Sequence, residues 1–359
     1  MFLRNILQAT TLLFTAACAQ TACNNSPSLC NKPYNNITHL GTHNSAFVRD
    51  STTSFSTAGN QFYNATVQLD AGVRLLSAQV HKFDSPGGST EWHLCHTTCG
   101  LLDAGPLDKW LGAIKTWMDA NPNDVVTILL VNSDNAPADT LGAQFNSSGI
   151  ARYAYTPSLN TTTTTSTLPT TWPTLSSLIS NGTRLMTFIA SLPTPSKNYP
   201  YLLDEFTYVY ENAYENEKPT QFSCEPNRPT NLNTTSAKAS NRMFLMNHFL
   251  YSTESFVQTP NVTYTNVTNS AGSGLGSLGS AITNCSTVYS KAPNFVLVDF
   301  FNVGPAVDSV DAANGVQGAM GRKTVSTALL AEGKSSDARR EGSVFAVVLA
   351  VAVAVAFGM

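Results

Sequence analysis

The sequence predicts an α/β fold, a (β/α)8 barrel of the TIM type, on three observations. Eight strand-like runs recur along the chain, at 37–43, 73–81, 92–96, 125–131, 184–190, 207–210, 243–248 and 295–300, with helical or loop material between them. Two of them, Val125-Val126-Thr127-Ile128-Leu129-Leu130-Val131 and Phe295-Val296-Leu297-Val298, are almost continuously apolar. Strands covered on both faces read that way, whereas half-exposed strands alternate. A clear amphipathic helix spans 106–121.

The first run, Ile37-Thr38-His39-Leu40-Gly41-Thr42-His43, stops at Asn44-Ser45. The second follows Gly72 and reads Val73-Arg74-Leu75-Leu76-Ser77-Ala78-Gln79-Val80-His81. Its alternation puts Arg74 with Leu76 and Ala78, on the face opposite Ser77 and Gln79. The third, Trp92-His93-Leu94-Cys95-His96, precedes the helix, whose Leu107, Trp110, Leu111, Ile114, Trp117 and Met118 form one apolar stripe. Pro106 suits its first turn, where no N–H is needed, and Asn121-Pro122 ends it. Residues 160–171 carry a Thr run and read as an O-glycosylated excursion; residues 252–280, rich in Gly, Ser, Thr and Asn, read as a second long loop. The glycines at 272–276 follow no strand, so loop is preferred there to a phosphate cradle. After Val310 a Gly/Ala/Ser stalk is expected. One barrel connection is expected to lack a helix.

The two ends read as processing signals. Residues 1–19 carry Arg4, an apolar run and Ala17-Cys18-Ala19, a small-x-small cleavage pattern. Residues 344–359 are apolar and uncharged and follow a polar stretch with Gly333, Ser335 and Ser336. That tail is shorter than the ~20 residues of a spanning helix and matches a glycosylphosphatidylinositol attachment signal. The expected organisation is a signal peptide at 1–19, a barrel at 23–315, a stalk with the attachment region at 316–336, and a removed tail at 337–359. The formal net charge of −3, with no run of Lys or Arg, sets nucleic acid aside. Removing Cys18 with the leader leaves six cysteines, an even number that favours disulfides in a secreted chain. Fifteen pairings are open; proximity suggests Cys23–Cys30 and Cys95–Cys99, leaving Cys224–Cys285. Ten Asn-x-Ser/Thr sequons agree with export and a glycosylated surface.

Chemistry is expected at the carboxyl ends of the barrel strands. The runs put His43, Gln79, His81, His96, Asn132, Glu211, Asn247, His248 and Asp299 there. Two imidazoles at strand ends suit in-line phosphodiester cleavage, in which one takes a proton from the attacking hydroxyl and the other protonates the leaving alcohol. Asp299 is a candidate to orient and charge-stabilise an imidazolium. His39, His81 and His93 read as packing or solvent residues.

The succession Thr42-His43-Asn44-Ser45, Gly72-Val73-Arg74-Leu75-Leu76 and Leu94-Cys95-His96 resembles the catalytic half of the phosphatidylinositol-specific phospholipase C-like phosphodiesterases. Cys95-His96-Thr97-Thr98-Cys99 and the segments 102–107 and 293–302 look like its fungal secreted branch. The resemblance covers 23–315. It implies His43 as general base, His96 as general acid, and Asn44 where the family contacts phosphate or calcium. It implies a phospholipid or glycerophosphodiester substrate, and membrane attachment through the lipid anchor. Two positions depart from the pattern. Ser77 and Gln79 stand where bacterial members have Asp and Arg and metal-dependent members have two acidic ligands. Ca2+ or Mg2+ therefore lacks its usual carboxylates here. The alternative from another class is a barrel without turnover that serves as a cell-surface binding or wall protein. A glycoside hydrolase using Glu205 and Glu211 is disfavoured, because two residues on one strand-like stretch make a poor cross-barrel pair.

Overall fold

The computed structural model describes residues 21–85, 87–158, 167–254 and 257–329. The leader, most of the Thr run and the apolar tail therefore lie outside the described residues. Twelve strands are present among them: β1 His39–Thr42, β2 Leu75–Asp84, β3 Thr90–Cys95, β4 Asp103–Pro106, β5 Val126–Asn132, β6 Leu185–Ala190, β7 Leu203–Asp204, β8 Val209–Glu211, β9 Met243–Asn247, β10 Tyr251–Glu254, β11 Val257–Pro260 and β12 Phe295–Val298. Eight of them are parallel and follow one another in the order β7-β6-β5-β2-β1-β12-β9-β8. That is the chain order of a (β/α)8 barrel. Its two edge strands, β7 and β8, are joined by the short helix Glu205–Tyr208 and not by ladder bonds.

Alternation along each strand divides the core in two. Leu75, Leu129, Phe188, Leu245, Phe295 and Leu297 fill the barrel. Leu76, Ile128, Leu130 and Val296 face outward, into the layer of the core that also holds Leu107, Leu111, Ile114 and Met118 of the helix Leu107–Ala120. Gly41 keeps β1 close to its neighbours, since a Cβ there would meet Leu297 and Leu75 at 2.7 Å. The amino end of the barrel is plugged by Tyr34, whose hydroxyl meets Thr127 Oγ1 at 2.6 Å, and by His39 stacked on Phe295. Arg74 belongs to that end as well. It pairs with Asp124 at 2.7 Å and lies over Trp117, far from any role at the opposite rim.

Three expectations are corrected. The run 92–96 is not a barrel stave: β3 is antiparallel to β2, whose ten residues rise past the barrel rim, and β4 pairs antiparallel to β3. The missing stave is β7, two residues long and too short to show a period. The 252–280 stretch is no simple loop either, because it holds the β10–β11 hairpin and the helix Thr265–Thr268. The chain also does not fade after Val310. Helix Ala306–Asn314 continues past it, and residues 316–329 climb the outer wall of the barrel. Met320 N–H donates to Asn25 O, Arg322 pairs with Asp311 at 2.6 Å, and Asn302 Nδ2 donates to Ser326 O at 2.8 Å. The disulfides are Cys23–Cys30, Cys95–Cys99 and Cys224–Cys285.

Candidate active site

His43 leaves the carboxyl end of β1 and meets Asp299, just past β12. Its Nδ1 lies 2.9 Å from Asp299 Oδ1. A carboxylate only accepts, so Nδ1 carries a proton, and in the neutral form of the ring the lone pair is on Nε2. Asn60 Nδ2 donates to the same Asp299 oxygen at 3.0 Å and lies 3.2 Å from His43 Nδ1, closing a triangle with the pair. The ring lies flat on Phe249, 3.8 Å between centroids and 3° between planes, with Tyr251 edge-on at 6.3 Å. Gln61 Nε2 donates to His43 O and Val298 O at 2.9 and 3.1 Å, tying the ends of β1 and β12 together. His43 keeps 12% side-chain exposure, so a ligand can reach it.

His96 arrives from outside the ring of staves, in the short loop closed by Cys95–Cys99. It is buried and stacks on Phe47 at 5.2 Å. Its Nδ1 is buried without a protein partner. Burial, followed by the field of nearby His43 and opposed by the Ala58 carbonyl, pushes its pKa down to about 4. At rest it is neutral.

Each of these three groups precedes a non-glycine residue in the left-handed region: Asn44 at φ 51°, Thr97 at 61° and Phe300 at 43°. Such conformations cost energy and persist only where surrounding contacts impose them. At Asn44 those contacts come from Ser77: its Oγ accepts from Asn44 N–H at 2.9 Å and donates to Thr42 O at 3.1 Å. At Thr97 they come from Gln79, whose Oε1 accepts from Thr97 N–H at 2.9 Å. Ser77 and Gln79, the two departures, thus hold the loops that carry the histidines.

Across the mouth Glu211 faces inward from β8. It pairs with Arg228 at 2.8 Å and accepts from Asn247 Nδ2 at 2.6 Å. Burial, then the Glu211 charge, hold the Glu205 carboxyl protonated well above its ordinary range. Arg228 also lies 4.2 Å over the Tyr214 ring. Two expected rim residues point elsewhere. Asn132 is spent on its own turn, accepting from Ala136 N–H at 2.7 Å and donating to Ala136 O and Ser191 O. His248 faces out of the barrel, stacked on Phe222 at 4.2 Å with Nε2 on Gly276 O at 3.1 Å. On the ribbon, His93 sits between Asp103 and Glu91, and His81 lies on Asp134. Asn60, Gln61 and Phe249 escaped the sequence reading because no spacing marks them.

The fold family implies a divalent cation in some members, and the donor set does not fit one. Ser77 Oγ and Gln79 Oε1 are consumed by backbone N–H groups. Among the described residues no three His, Cys, Asp or Glu side chains are grouped to hold a metal.

Burial also drives His39 and His248 to about 4. For each of the three buried histidines the folded value lies below the unfolded ~6.5, so the unfolded chain binds the extra proton. Their stabilisation is complete above pH 6.5 and is lost as pH falls towards 4. With three protons at about 1.4 kcal/mol per proton and pH unit, stability is expected to fall by as much as about 4 kcal/mol per pH unit. Urea melts between pH 7 and 4 check this; a flat midpoint would contradict it.

The family model described as PI-PLC X 1 matches residues 29–314. A relative from Arthroderma benhamiae, named PI-PLC X domain-containing protein 1, is 34% identical over 82% of this chain and 90% of its own. A second protein of that fungus, named an uncharacterized secreted protein, is 36% identical over 80% of this chain. The match spans 62% of that relative's length. Among solved structures, the phosphatidylinositol-specific phospholipase C of Listeria monocytogenes is similar in fold. It has a TM-score of 0.51, 15% identity, and 80% and 96% of the two chains covered. A Staphylococcus aureus phosphatidylinositol-specific phospholipase C gives a TM-score of 0.51 at 12% identity, covering 80% and 94%.

Proposed function

We propose, because this chain belongs to the PI-PLC X family, that its barrel mouth cleaves the phosphodiester of a phospholipid or glycerophosphodiester with His43 and His96 as base and acid. The observation that carries the reading is the Asp299–His43 pair, in which the carboxylate takes up Nδ1 of a ring that is partly exposed at the mouth of the barrel and so leaves Nε2 for the substrate. His43 Nε2 takes the proton of the attacking hydroxyl, either a neighbouring hydroxyl of the head group or water. That oxygen bonds to phosphorus as the bond to the leaving glycerol oxygen breaks. His96 delivers the proton that the leaving oxygen needs. Neutral at rest, His96 gains its proton when the diester binds, because the negative charge of the diester favours the imidazolium over the neutral ring.

The protein acts outside the cell. Support comes from three disulfides, the sequons and the relative named as secreted. The lipid anchor at the carboxyl end rests on the terminal sequence pattern. Residues 316–329 bring the chain up beside Asn302, three residues past Asp299, so a tether there would hold the mouth near the membrane.

The test is turnover of phosphatidylinositol, lysophospholipid and glycerophosphodiesters by the purified protein, with and without chelator. Cleavage that survives chelation is expected. An inert protein would favour a binding or wall role.

A further inference from the structure

The strap formed by residues 316–329 bounds a groove on the outer wall of the barrel, away from the mouth. About 580 Å³ lies between its Arg322, Thr324 and Thr327 and the residues 301–308 that follow β12. Sites that hold small molecules run to ~300–1,000 Å³. Asn302 lines the groove and is 3% exposed. Its Nδ2 donates to Ser326 O at 2.8 Å and to Ala328 O at 3.3 Å. Both partners are backbone carbonyls, which only accept, so the amide has one orientation and Oδ1 is its other end. That oxygen is buried and has no donor. Leaving a buried acceptor unmet is costly, which argues that something beyond the polypeptide supplies the donor. The two cations that line the groove are already matched, Arg322 by Asp311 at 2.6 Å and Lys323 by Asp70 at 2.7 Å. The groove therefore suits a neutral occupant bearing O–H or amide N–H groups better than an anion.

The chain can supply that occupant covalently. Asn266 lines the same groove, is exposed, and opens the acceptor triplet Asn266-Val267-Thr268. Its place beside the groove is fixed by Asn269, whose Nδ2 donates to the carbonyls of Asp299, Phe300 and Val303 at 2.9, 3.2 and 2.9 Å. We propose that Asn266 carries an N-linked glycan whose first N-acetylglucosamine seats in this groove and donates to Asn302 Oδ1. Asn302 holds the strap with its other end, so the seated sugar pins residues 322–328 to the barrel. The strap is the way out of the barrel towards the carboxyl end, and the sugar shields that exit. The inference rests on export of the protein and not on the phosphodiesterase reading.

The test uses the full chain secreted by a eukaryotic host. Glycopeptide mass spectrometry is expected to find Asn266 occupied. Hydrogen–deuterium exchange then reads the strap amides at 322–328, whose rate follows the local opening of that segment. Trimming with an endoglycosidase that leaves one N-acetylglucosamine on each asparagine should not change that rate. Asn266→Gln, which removes the whole glycan from an exposed position, should raise it about tenfold, the scale of a single hydrogen bond. Thr268→Ser keeps the triplet and should behave as the wild type. Asn181→Gln removes the exposed triplet that follows helix Leu175–Ser180 and should leave the strap unchanged. A bare Asn266, or an occupied one whose loss does not alter the exchange, overturns the proposal. So does exchange that rises on trimming to one sugar, or that rises as much in Asn181→Gln.

Discussion

His43→Ala is expected to lower turnover by about 10²–10⁴, the usual contribution of a positioned base, while Asp299→Asn loses about tenfold to a hundredfold on the same scale. The two differ because of what each removes. Without the ring nothing at the mouth accepts the hydroxyl proton. With Asn at 299, an amide oxygen can still accept from His43 Nδ1 and from Asn60 Nδ2, so the tautomer survives. Only the negative charge that steadies the imidazolium disappears. Neither side chain belongs to a strand ladder, so both proteins should remain folded. Initial rates on a soluble phosphodiester, read beside melting curves, check the order. An Asp299→Asn loss greater than that of His43→Ala would contradict the assignment of the base.

His96→Ala should produce a loss that depends on the alcohol expelled. An alkoxide leaving group needs a proton as the bond breaks, and removal of its acid is expected to cost about 10²–10⁴. A p-nitrophenolate is a stable anion without a proton, and its release should slow by less than about tenfold, since acid catalysis contributes little there. Comparing kcat for a glycerol diester and a nitrophenyl diester in this one variant measures the effect. Equal losses on both would mean that His96 does not protonate the leaving oxygen.

Much of this architecture was legible because apolar runs and a 3.6-residue stripe survive translation into strands and a helix. β5, β6, β9 and β12 stand within a residue or two of the runs that announced them. Composition marks a strand but not the direction of its neighbour, and so the run 92–96 reads as a stave although β3 pairs antiparallel. Strand parity explains the site residues that pointed elsewhere. In a run buried on both faces every position looks alike, so nothing in Leu129-Leu130-Val131 tells which residues face the barrel. Asn132 and His248 each lie one position from an inward-facing neighbour and so miss the mouth. Asn247, at the inward position, reaches Glu211. Asn60 and Gln61 act through contacts more than 200 residues away in sequence, which no local pattern encodes. The departures at Ser77 and Gln79 are visible in the sequence, but that they brace the loops carrying His43 and His96 emerges only from their hydrogen bonds.

That His43 and His96 serve one phosphorus centre is tested most directly by the double variant His43→Ala/His96→Ala, with its turnover of a glycerophosphodiester set against that of each single variant. Groups that act as a unit lose their effect together, so the double variant should fall about as far as the worse single one. Losses that multiply, or single variants as active as the wild type, would contradict a shared site.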